Sequence, residues 1–215
     1  MATTRARATR RRFLGIALAM PVALAAARKA QARPRPLALT PACPGGAAAP
    51  TAPQTEGPYF KPSSPRRASL IEPGVTGPRI VVTGLVLSTD CRPIPDALVD
   101  VWQADAHGEY DNRGYRLRGH QLTDAAGRYR LETIVPAEYP GRTRHIHVKV
   151  QAPRQRMVLT TQLYFPGEPA NGRDRIFDPA LVMKVESAAG GLVGAFDFVL
   201  PPAATRSSRR AVSRG

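Results

Sequence analysis

The chain has 215 residues and 43% of them are apolar, which suffices for one domain with a core of ordinary size. A disordered chain is thereby excluded. The formal net charge of +15 is concentrated at the two ends, because residues 1–32 carry seven Lys and Arg, residues 201–215 carry four Arg, and neither segment has an acid. The residues between them hold a net charge of only +4. This distribution argues against a nucleic-acid-binding domain, which needs clustered basic residues on the fold itself.

Residues 1–32 have the pattern of an export signal. A basic stretch precedes an apolar run, Phe13 to Ala27, and Ala30-Gln31-Ala32 has the form of a cleavage site. The run contains Pro21 and is shorter than the roughly 20 apolar residues of a membrane-spanning helix, so no stable membrane span is expected. Arg10-Arg11-Arg12 before Phe13 resembles the twin-arginine signal, the address of a machinery that exports folded proteins. We therefore expect a periplasmic or extracellular protein, with the general secretory route as the alternative.

The remainder divides into three parts. Residues 33–54 hold six prolines, six alanines and no acid, which predicts an extended linker. Residues 55–200 form the predicted domain, and the basic residues 201–215 are expected to be a disordered tail.

Within the domain, short runs rich in Val, Ile and aromatic residues alternate with turns, which is typical of strands. The predicted strands are residues 80–87, 97–103, 129–134, 144–150, 160–165 and 195–200. No stretch sustains a helical period for three turns. The sequence therefore predicts an all-β fold, an antiparallel β-sandwich with long functional loops.

The chain has two cysteines, Cys43 and Cys91. In an exported protein they are able to form a disulfide that ties the linker to the first hairpin. Two free thiols are the other interpretation, and the residues leave both open.

Two histidines lie two residues apart in the predicted strand 144–150. Because side chains alternate between the faces of a strand, His145 and His147 project from one face, about 7 Å apart along the chain, while Ile146 and Val148 face the other way. Two imidazoles on one face are able to bind one metal ion. A half-exposed pair without a metal is the alternative, and the motif alone does not decide between them.

Two tyrosines occupy loops next to predicted strands. Tyr139 lies six residues before His145, and Tyr110 follows the strand 97–103. A phenolate is a hard, anionic oxygen donor that favours ferric iron. Two histidines with two tyrosines are therefore a candidate ligand set for that ion.

These residues stand in segments that resemble the intradiol ring-cleavage dioxygenases, the family of protocatechuate 3,4-dioxygenase and catechol 1,2-dioxygenase. The matching segments are TEGPYF at 55–60, VWQA at 101–104 with YD at 110–111, RG at 118–119 with TDAAGRY at 123–129, HIH at 145–147, and TQLYF at 161–165. The resemblance implies a mononuclear non-haem Fe(III) bound by Tyr110, Tyr139, His145 and His147. It implies an enzyme that cleaves a catechol between its two hydroxyl-bearing carbons with O₂, giving a cis,cis-muconate type diacid.

The resemblance also implies roles for residues outside the ligand set. Tyr139 would additionally accept a substrate proton, Arg142 would contact the substrate and stabilise anionic intermediates, and Gln162 would act beside the iron. Tyr59 would border the substrate pocket. The last three also have structural interpretations, namely a solvated loop charge for Arg142, backbone pairing for Gln162 and simple packing for Tyr59. His107 and His120 match no ligand position and are expected at the surface or behind the site.

The chain departs from the pattern of the family in three places. Only five residues separate Tyr139 from His145, so the loop that shapes the pocket rim is short, and Thr143-Arg144 replaces the usual proline-containing approach to the first histidine. The Pro/Ala-rich residues 33–54 are not expected to form the helical dimerisation segment of catechol dioxygenases. The substrate's ring substituents and the oligomeric state are therefore not predicted.

The sequence leaves two other functions open. The segments 90–97 and 123–129 also resemble transthyretin-like (prealbumin-like) and adhesin repeat domains, so a non-catalytic β-sandwich binding module is the main alternative. Such modules lack the set of two tyrosines and two histidines. A zinc hydrolase that uses His145 and His147 is less favoured, because zinc sites recruit Cys, His or carboxylate ligands and not tyrosinate.

Overall fold

A computed structural model describes residues 47–201 of the chain. The predicted export signal, most of the predicted linker and almost all of the predicted basic tail lie outside the described residues. Within residues 47–201, no helix is both long and apolar enough to cross a membrane.

The described residues form nine strands and two short 3₁₀ turns. The strands are β1 (Arg79–Ser88), β2 (Leu98–Trp102), β3 (Arg118–Leu122), β4 (Arg128–Ile134), β5 (His145–Gln151), β6 (Leu159–Tyr164), β7 (Lys184–Ala188), β8 (Gly191–Ala195) and β9 (Phe198–Leu200). The turns are Pro169–Gly172 and Pro179–Leu181, both between β6 and β7.

The strands make two sheets around one core. One sheet has the order β4-β1-β8-β7, with β9 also paired to β1, and the other has the order β3-β2-β5-β6. Apolar side chains from both sheets share the core, for example Val82 and Leu131 from the first with Val99 and Ile146 from the second. The predicted all-β sandwich is therefore confirmed, although β1 pairs in parallel with both β8 and β9.

Strands with strong apolar patterns were easier to predict than the others. The first five predicted strands match β1, β2, β4, β5 and β6 to within one or two residues. The predicted strand 195–200 is interrupted, because the buried carboxylate of Asp197 accepts a hydrogen bond from the Leu85 backbone at 2.7 Å between the ends of β8 and β9. Strands β3 and β7 were not predicted, since β3 reads Arg-Gly-His-Gln-Leu without apolar alternation and β7 is largely exposed.

The segment before Thr55 already lies against the sandwich. The backbone N–H of Ala48 donates to Thr89 at 2.9 Å, that of Thr51 donates to Val199 at 2.9 Å, and that of Gln54 donates to Thr160 at 2.8 Å. Prolines cannot donate such bonds, but the residues between them do. Contacts with the sandwich therefore begin before the predicted domain boundary.

Cys91 occupies the turn after β1 and is disulfide-bonded. The other cysteine of the chain, Cys43, lies outside the described residues.

Candidate metal centre

His145 and His147 lie on one face of β5, as the strand alternation predicts. Both side chains are buried, and their Nε2 atoms are 3.1 Å apart. Between them Ile146 faces the opposite way, into the core. Metal–imidazole bonds are about 2.1 Å long, so two nitrogens at this spacing are able to bind one ion side by side.

A backbone hydrogen bond determines which nitrogen of His145 is available. Its Nδ1 lies 2.6 Å from the carbonyl oxygen of Thr143, and because a carbonyl only accepts, Nδ1 carries the proton. Burial lowers the pKa of His145 to about 4, and the charge of Arg142 acts in the same direction. The neutral ring therefore presents an unprotonated Nε2, the arrangement typical of metal-binding histidines.

His147 is held mainly by ring contacts. Its imidazole is stacked on the indole of Trp102, with ring centroids 4.7 Å apart and planes 7° apart. Its Nδ1 is buried and has no hydrogen-bond partner among the described residues. A Cβ atom on Gly57 would lie 3.6 Å from His147 Cε1, so the segment before β1 covers this ring closely. Burial lowers the pKa of His147 well below its usual value, and the neighbouring His145 adds to the effect.

The two candidate tyrosines approach the histidines from separate loops. The ring centroids of Tyr110 and His147 are 6.1 Å apart, and those of Tyr139 and His145 are 5.6 Å apart. The two tyrosine rings are 5.8 Å apart. All four predicted ligands therefore meet at one place.

The loop that carries Tyr110 is shaped by Asp105 and Gly108. The Asp105 carboxylate accepts hydrogen bonds from the backbone of His107 at 2.8 Å and of Glu109 at 3.0 Å. Gly108 has φ +85°, and a Cβ atom there would lie 2.7 Å from the carbonyl oxygen of Glu138. A glycine is required because this loop packs directly on the backbone beside Tyr139.

The phenols are in surroundings that favour their neutral form. The Tyr110 hydroxyl is buried and makes no hydrogen bond to any residue between 47 and 201. Burial raises the pKa of Tyr110, and the adjacent Tyr139 raises it further. Burial also raises the pKa of Tyr139. Burying an unpaired hydroxyl is costly, and a cation beside it would offset that cost and favour the phenolate. The donor set therefore fits a metal ion.

Arg142 connects the other predicted catalytic residues. Its guanidinium donates to the Gln162 side-chain oxygen, approaches the Tyr139 hydroxyl at 3.4 Å and pairs with Asp174 at 2.9 Å. Burial lowers the pKa of Arg142, but the pairing with Asp174, together with the nearby Tyr139 and Tyr164, leaves that pKa raised. A cavity of about 350 Å³ opens beside Tyr139 and Arg142.

Tyr59 packs against the candidate ligands. Its ring is stacked on that of Tyr110, with centroids 4.3 Å apart, and makes an edge-to-face contact with Tyr139, with centroids 6.4 Å apart. Its backbone carbonyl accepts a hydrogen bond from Arg118, a buried side chain that also donates to the Asp111 carbonyl at 3.1 Å. Arg118 therefore links the Tyr59 segment to the Tyr110 loop.

Some residues around the site were not assigned a role in the sequence analysis. They are Trp102, Thr143, Tyr164, Asp174 and the side chain of Arg118. Trp102 and Arg118 stand inside matching segments, which was a usable signal, whereas Asp174 carries no local signal. His107 is exposed. His120 lies on β3 outside the cluster, and its Nδ1 is 3.1 Å from the Ser64 hydroxyl.

Within residues 47–201, no group of three or more His, Cys, Asp and Glu side chains is placed to bind a metal ion. The candidate centre consists instead of two imidazoles and two phenols.

Comparison with known proteins assigns the family. The family model described as Dioxygenase matches residues 55–204. The chain is 40% identical over 118 residues to the protocatechuate 3,4-dioxygenase beta chain of Burkholderia cepacia, covering 47% of this chain and 50% of that protein. It is 33% identical over 145 residues to hydroxyquinol 1,2-dioxygenase of Nocardioides simplex, covering 56% and 49%. The chain thus spans about half the length of these curated relatives.

A solved structure matches more fully. The dioxygenase domain of a dioxygenase and carbohydrate-binding protein fusion from Streptomyces sp. SirexAA-E is 57% identical, with a TM-score of 0.70, covering 72% of this chain and 100% of that chain. The 3-chlorocatechol 1,2-dioxygenase of Rhodococcus opacus 1CP is 29% identical with a TM-score of 0.65, covering 70% and 72%. The chain belongs to the intradiol ring-cleavage dioxygenase family. Enzymes of this family use non-haem iron.

Proposed function

We propose that this protein cleaves the ring of a catechol between its two hydroxyl-bearing carbons, using O₂ and one non-haem Fe(III), to give a cis,cis-muconate type diacid. The observation that carries the proposal is the convergence of two buried, neutral imidazoles and two unionised phenols on one point of a dioxygenase-family sandwich. The family relation favours this function over a non-catalytic binding module.

Tyr110, Tyr139, His145 and His147 would bind the iron. The two phenolates would balance much of the charge of a ferric ion, the two imidazoles would add neutral donors, and the hard phenolate oxygens would favour that oxidation state. When bound, ferric iron would act as a Lewis acid that draws both catechol oxygens to the site and leaves the ring open to attack by O₂.

Tyr139 is the candidate proton acceptor. It is half-buried, lies beside the cavity and has Arg142 Nη1 3.4 Å from its hydroxyl oxygen. Tyr110, by contrast, is held between the Tyr59 ring and the Arg118 side chain. The more accessible phenolate oxygen would take a proton from the incoming catechol, and the Arg142 charge would stabilise the oxygen before the transfer.

Arg142 and Gln162 would stabilise negative charge that develops on the substrate. Their side chains touch each other, and Gln162 Nε2 donates to the Thr55 carbonyl at 3.0 Å while Tyr164 donates to Gln162 Oε1 at 3.0 Å. A guanidinium held in place requires little reorganisation during the reaction, which makes it effective as an electrostatic donor. Tyr59 and Trp102 would exclude water from this region by packing over the rings of Tyr110 and His147.

Oxygen uptake tests the proposal. Protein loaded with iron is supplied with catechol, protocatechuate, hydroxyquinol and substituted catechols, and uptake is followed together with the ultraviolet absorption of a diene diacid. We expect stoichiometric uptake with at least one of them, and a red-brown colour from tyrosinate-to-iron charge transfer before substrate is added. A colourless, inactive protein with bound zinc would favour the hydrolase alternative.

We also propose that the protein acts outside the cytoplasm after export by the twin-arginine machinery. The signal-like residues 1–32 support this proposal, and a route that carries folded proteins suits a protein that receives its metal before export.

A further inference from the structure

We propose that Asp174 is a positioning residue of this site that orients Arg142 directly and His145 through the Thr143 backbone. The inference rests on the function proposed above. Asp174 lies between the two 3₁₀ turns that follow β6, in a segment that contributes none of the candidate ligands.

The Asp174 carboxylate binds one defined nitrogen of Arg142. The Arg142 Nε donates to Asp174 Oδ2 at 2.9 Å, while the terminal nitrogens face Gln162 and Tyr139. A guanidinium is planar and rigid, so fixing Nε determines where both terminal nitrogens point. Asp174 therefore determines which edge of Arg142 faces the reaction site.

The same carboxylate also holds the backbone that orients His145. The Thr143 N–H donates to Asp174 Oδ2 at 3.0 Å, and the Thr143 carbonyl oxygen accepts the Nδ1 proton of His145. The Thr143 hydroxyl also donates to Asn171 Oδ1 at 2.7 Å, which adds a second link between the residues 170–174 and the start of β5. Groups that hold the outer nitrogen of a metal-binding imidazole typically influence metal affinity.

Burial distinguishes this ion pair from the others in the described part of the chain. The side chain of Asp174 is 1% exposed and that of Arg142 is 16% exposed, whereas the Asp124–Arg128 pair is 46% and 68% exposed. The Asp174 carboxylate also accepts from the Ile176 N–H at 3.1 Å. A buried carboxylate with three donors on it is a rigid support.

A double-mutant cycle tests the contact with Arg142. Asp174→Asn, Arg142→Leu and the double variant are compared with the wild type at matched iron content, and kcat and KM are measured separately. We expect Asp174→Asn alone to lower kcat by about 10–100-fold. In the Arg142→Leu background the same change should lower kcat by less than about 2-fold, because its effect passes through an arginine that is no longer there.

Iron affinity tests the contact with Thr143 without any turnover. We expect Asp174→Asn to weaken ferric iron binding by about 10–100-fold and to shift the charge-transfer band. This effect should persist in the Arg142→Leu background, because it passes through the backbone. Glu168→Gln is the matched control, since Glu168 pairs with Arg144 at 3.0 Å in the same connection, and it should change neither quantity.

The outcomes separate the two proposals. Wild-type kcat and iron affinity in Asp174→Asn would overturn the positioning role, and so would a loss in kcat that multiplies with that of Arg142→Leu. A wild type that cleaves no catechol would contradict the proposed function, while the iron affinities would still decide the role of Asp174. If Asp174→Asn is recovered unfolded, Asp174→Glu replaces it in the cycle. Unfolding of both variants would show that Asp174 is needed for the fold, which also overturns the proposal.

Discussion

Tyr139 and Tyr110 are chemically identical but differ in their surroundings. Tyr110 is stacked on Tyr59 and its hydroxyl is buried, whereas Tyr139 borders the cavity and lies near the Arg142 guanidinium. The first is suited to hold an ion permanently, and the second is suited to leave it and carry a proton.

Replacing Tyr139 by Phe should therefore affect turnover more than iron content. Three candidate ligands remain in Tyr139→Phe, but the displaceable base is lost, so we expect retained iron, an altered charge-transfer band and a much slower reaction. Iron analysis, absorption spectra and oxygen uptake check this. Tyr110→Phe is the comparison, and it should lose most of the iron. A wild-type spectrum and rate in Tyr139→Phe would show that the ligand assignment is wrong.

Arg142 and Arg144 offer a matched pair on either side of Thr143. Arg142→Leu should keep the fold and the colour but lose about 10²–10³-fold in turnover, as expected for one preorganised electrostatic donor. Arg144 pairs instead with Glu168 and is one-third exposed, so Arg144→Leu should cost no more than about 1 kcal/mol of stability. Turnover of the two variants, measured at matched iron content, shows whether Arg142 acts in catalysis. Equal activities in the two variants would remove Arg142 from the catalytic residues.

The sequence predicts the positions of some side chains of the candidate site but not of others. His145 and His147 share a strand, so alternation alone puts both on one face. Asp174 stands 32 residues from Arg142 in a loop, and no periodicity connects the two. Only the path of the chain after β6 brings them together, and that path depends on tertiary packing. Strand alternation therefore places the two candidate histidine ligands together, whereas no pattern in the sequence places Asp174 beside Arg142.

Among the structural elements, the 105–109 loop and the loop at 136–142 depend on each other. Besides the close approach of Gly108 to Glu138, the Ala137 N–H donates to the Asp105 carbonyl at 2.9 Å. A shift of either loop therefore displaces a candidate ligand on the other.

Gly108→Ala should disturb this pair of loops. The added Cβ would meet the Glu138 carbonyl at 2.7 Å and would have to adopt φ +85°, so we expect a loss of about 1–3 kcal/mol in unfolding free energy together with weaker iron binding. Gly172→Ala is the control, because no atom of residues 47–201 lies within 4 Å of its Cβ position, and its unfolding free energy should stay within about 0.5 kcal/mol of the wild type. Denaturant unfolding and iron titration measure both. Equal stability of the two variants would argue against the coupling of the loops.

The strands show where sequence patterns stop being informative. β1, β2, β4, β5 and β6 carry enough apolar residues on one face to be predicted, because that face forms the core. β3 has few, since its buried residues include the cation Arg118 and the close-packed Gly119. The position of β3 is determined by its pairing with β2, and the sequence of β3 alone carries no information about that pairing.

At the level of the whole molecule, iron should stabilise the folded state. The candidate ligands come from separate loops and from β5, so an unfolded chain could not hold the ion in the same way. At free iron about 100-fold above the dissociation constant, we expect about 2.7 kcal/mol of added stability, and a chelator should remove it. Thermal unfolding of the wild type and of His147→Ala, each with and without iron, checks this. An equal rise in Tm for both would contradict the assignment of His147.

Export can be tested with the full chain. Replacing Arg10, Arg11 and Arg12 by lysine keeps the charge but changes the pair that the twin-arginine machinery reads, so folded, unprocessed protein should accumulate in the cytoplasm. Lysine at Arg5 and Arg7 is the control and should leave export unchanged. Fractionation followed by mass measurement gives the answer. Normal export of the triple variant would assign the protein to the general secretory route.

The segment before β1 pairs with β9, the last strand of the sandwich, and this pairing affects when the metal is able to bind during synthesis. A nascent chain that has emerged through β5 contains all four candidate ligands but lacks Gln162, which donates to Thr55, and β9, whose Val199 pairs with Thr51. The Thr51 part of the covering segment before β1 thus lacks its partner until β9 leaves the ribosome. Because pairing between distant parts of a chain is slow, we expect the metal to enter late. Ferric colour would then report a completed chain, and polypeptides truncated before β9 would stay pale.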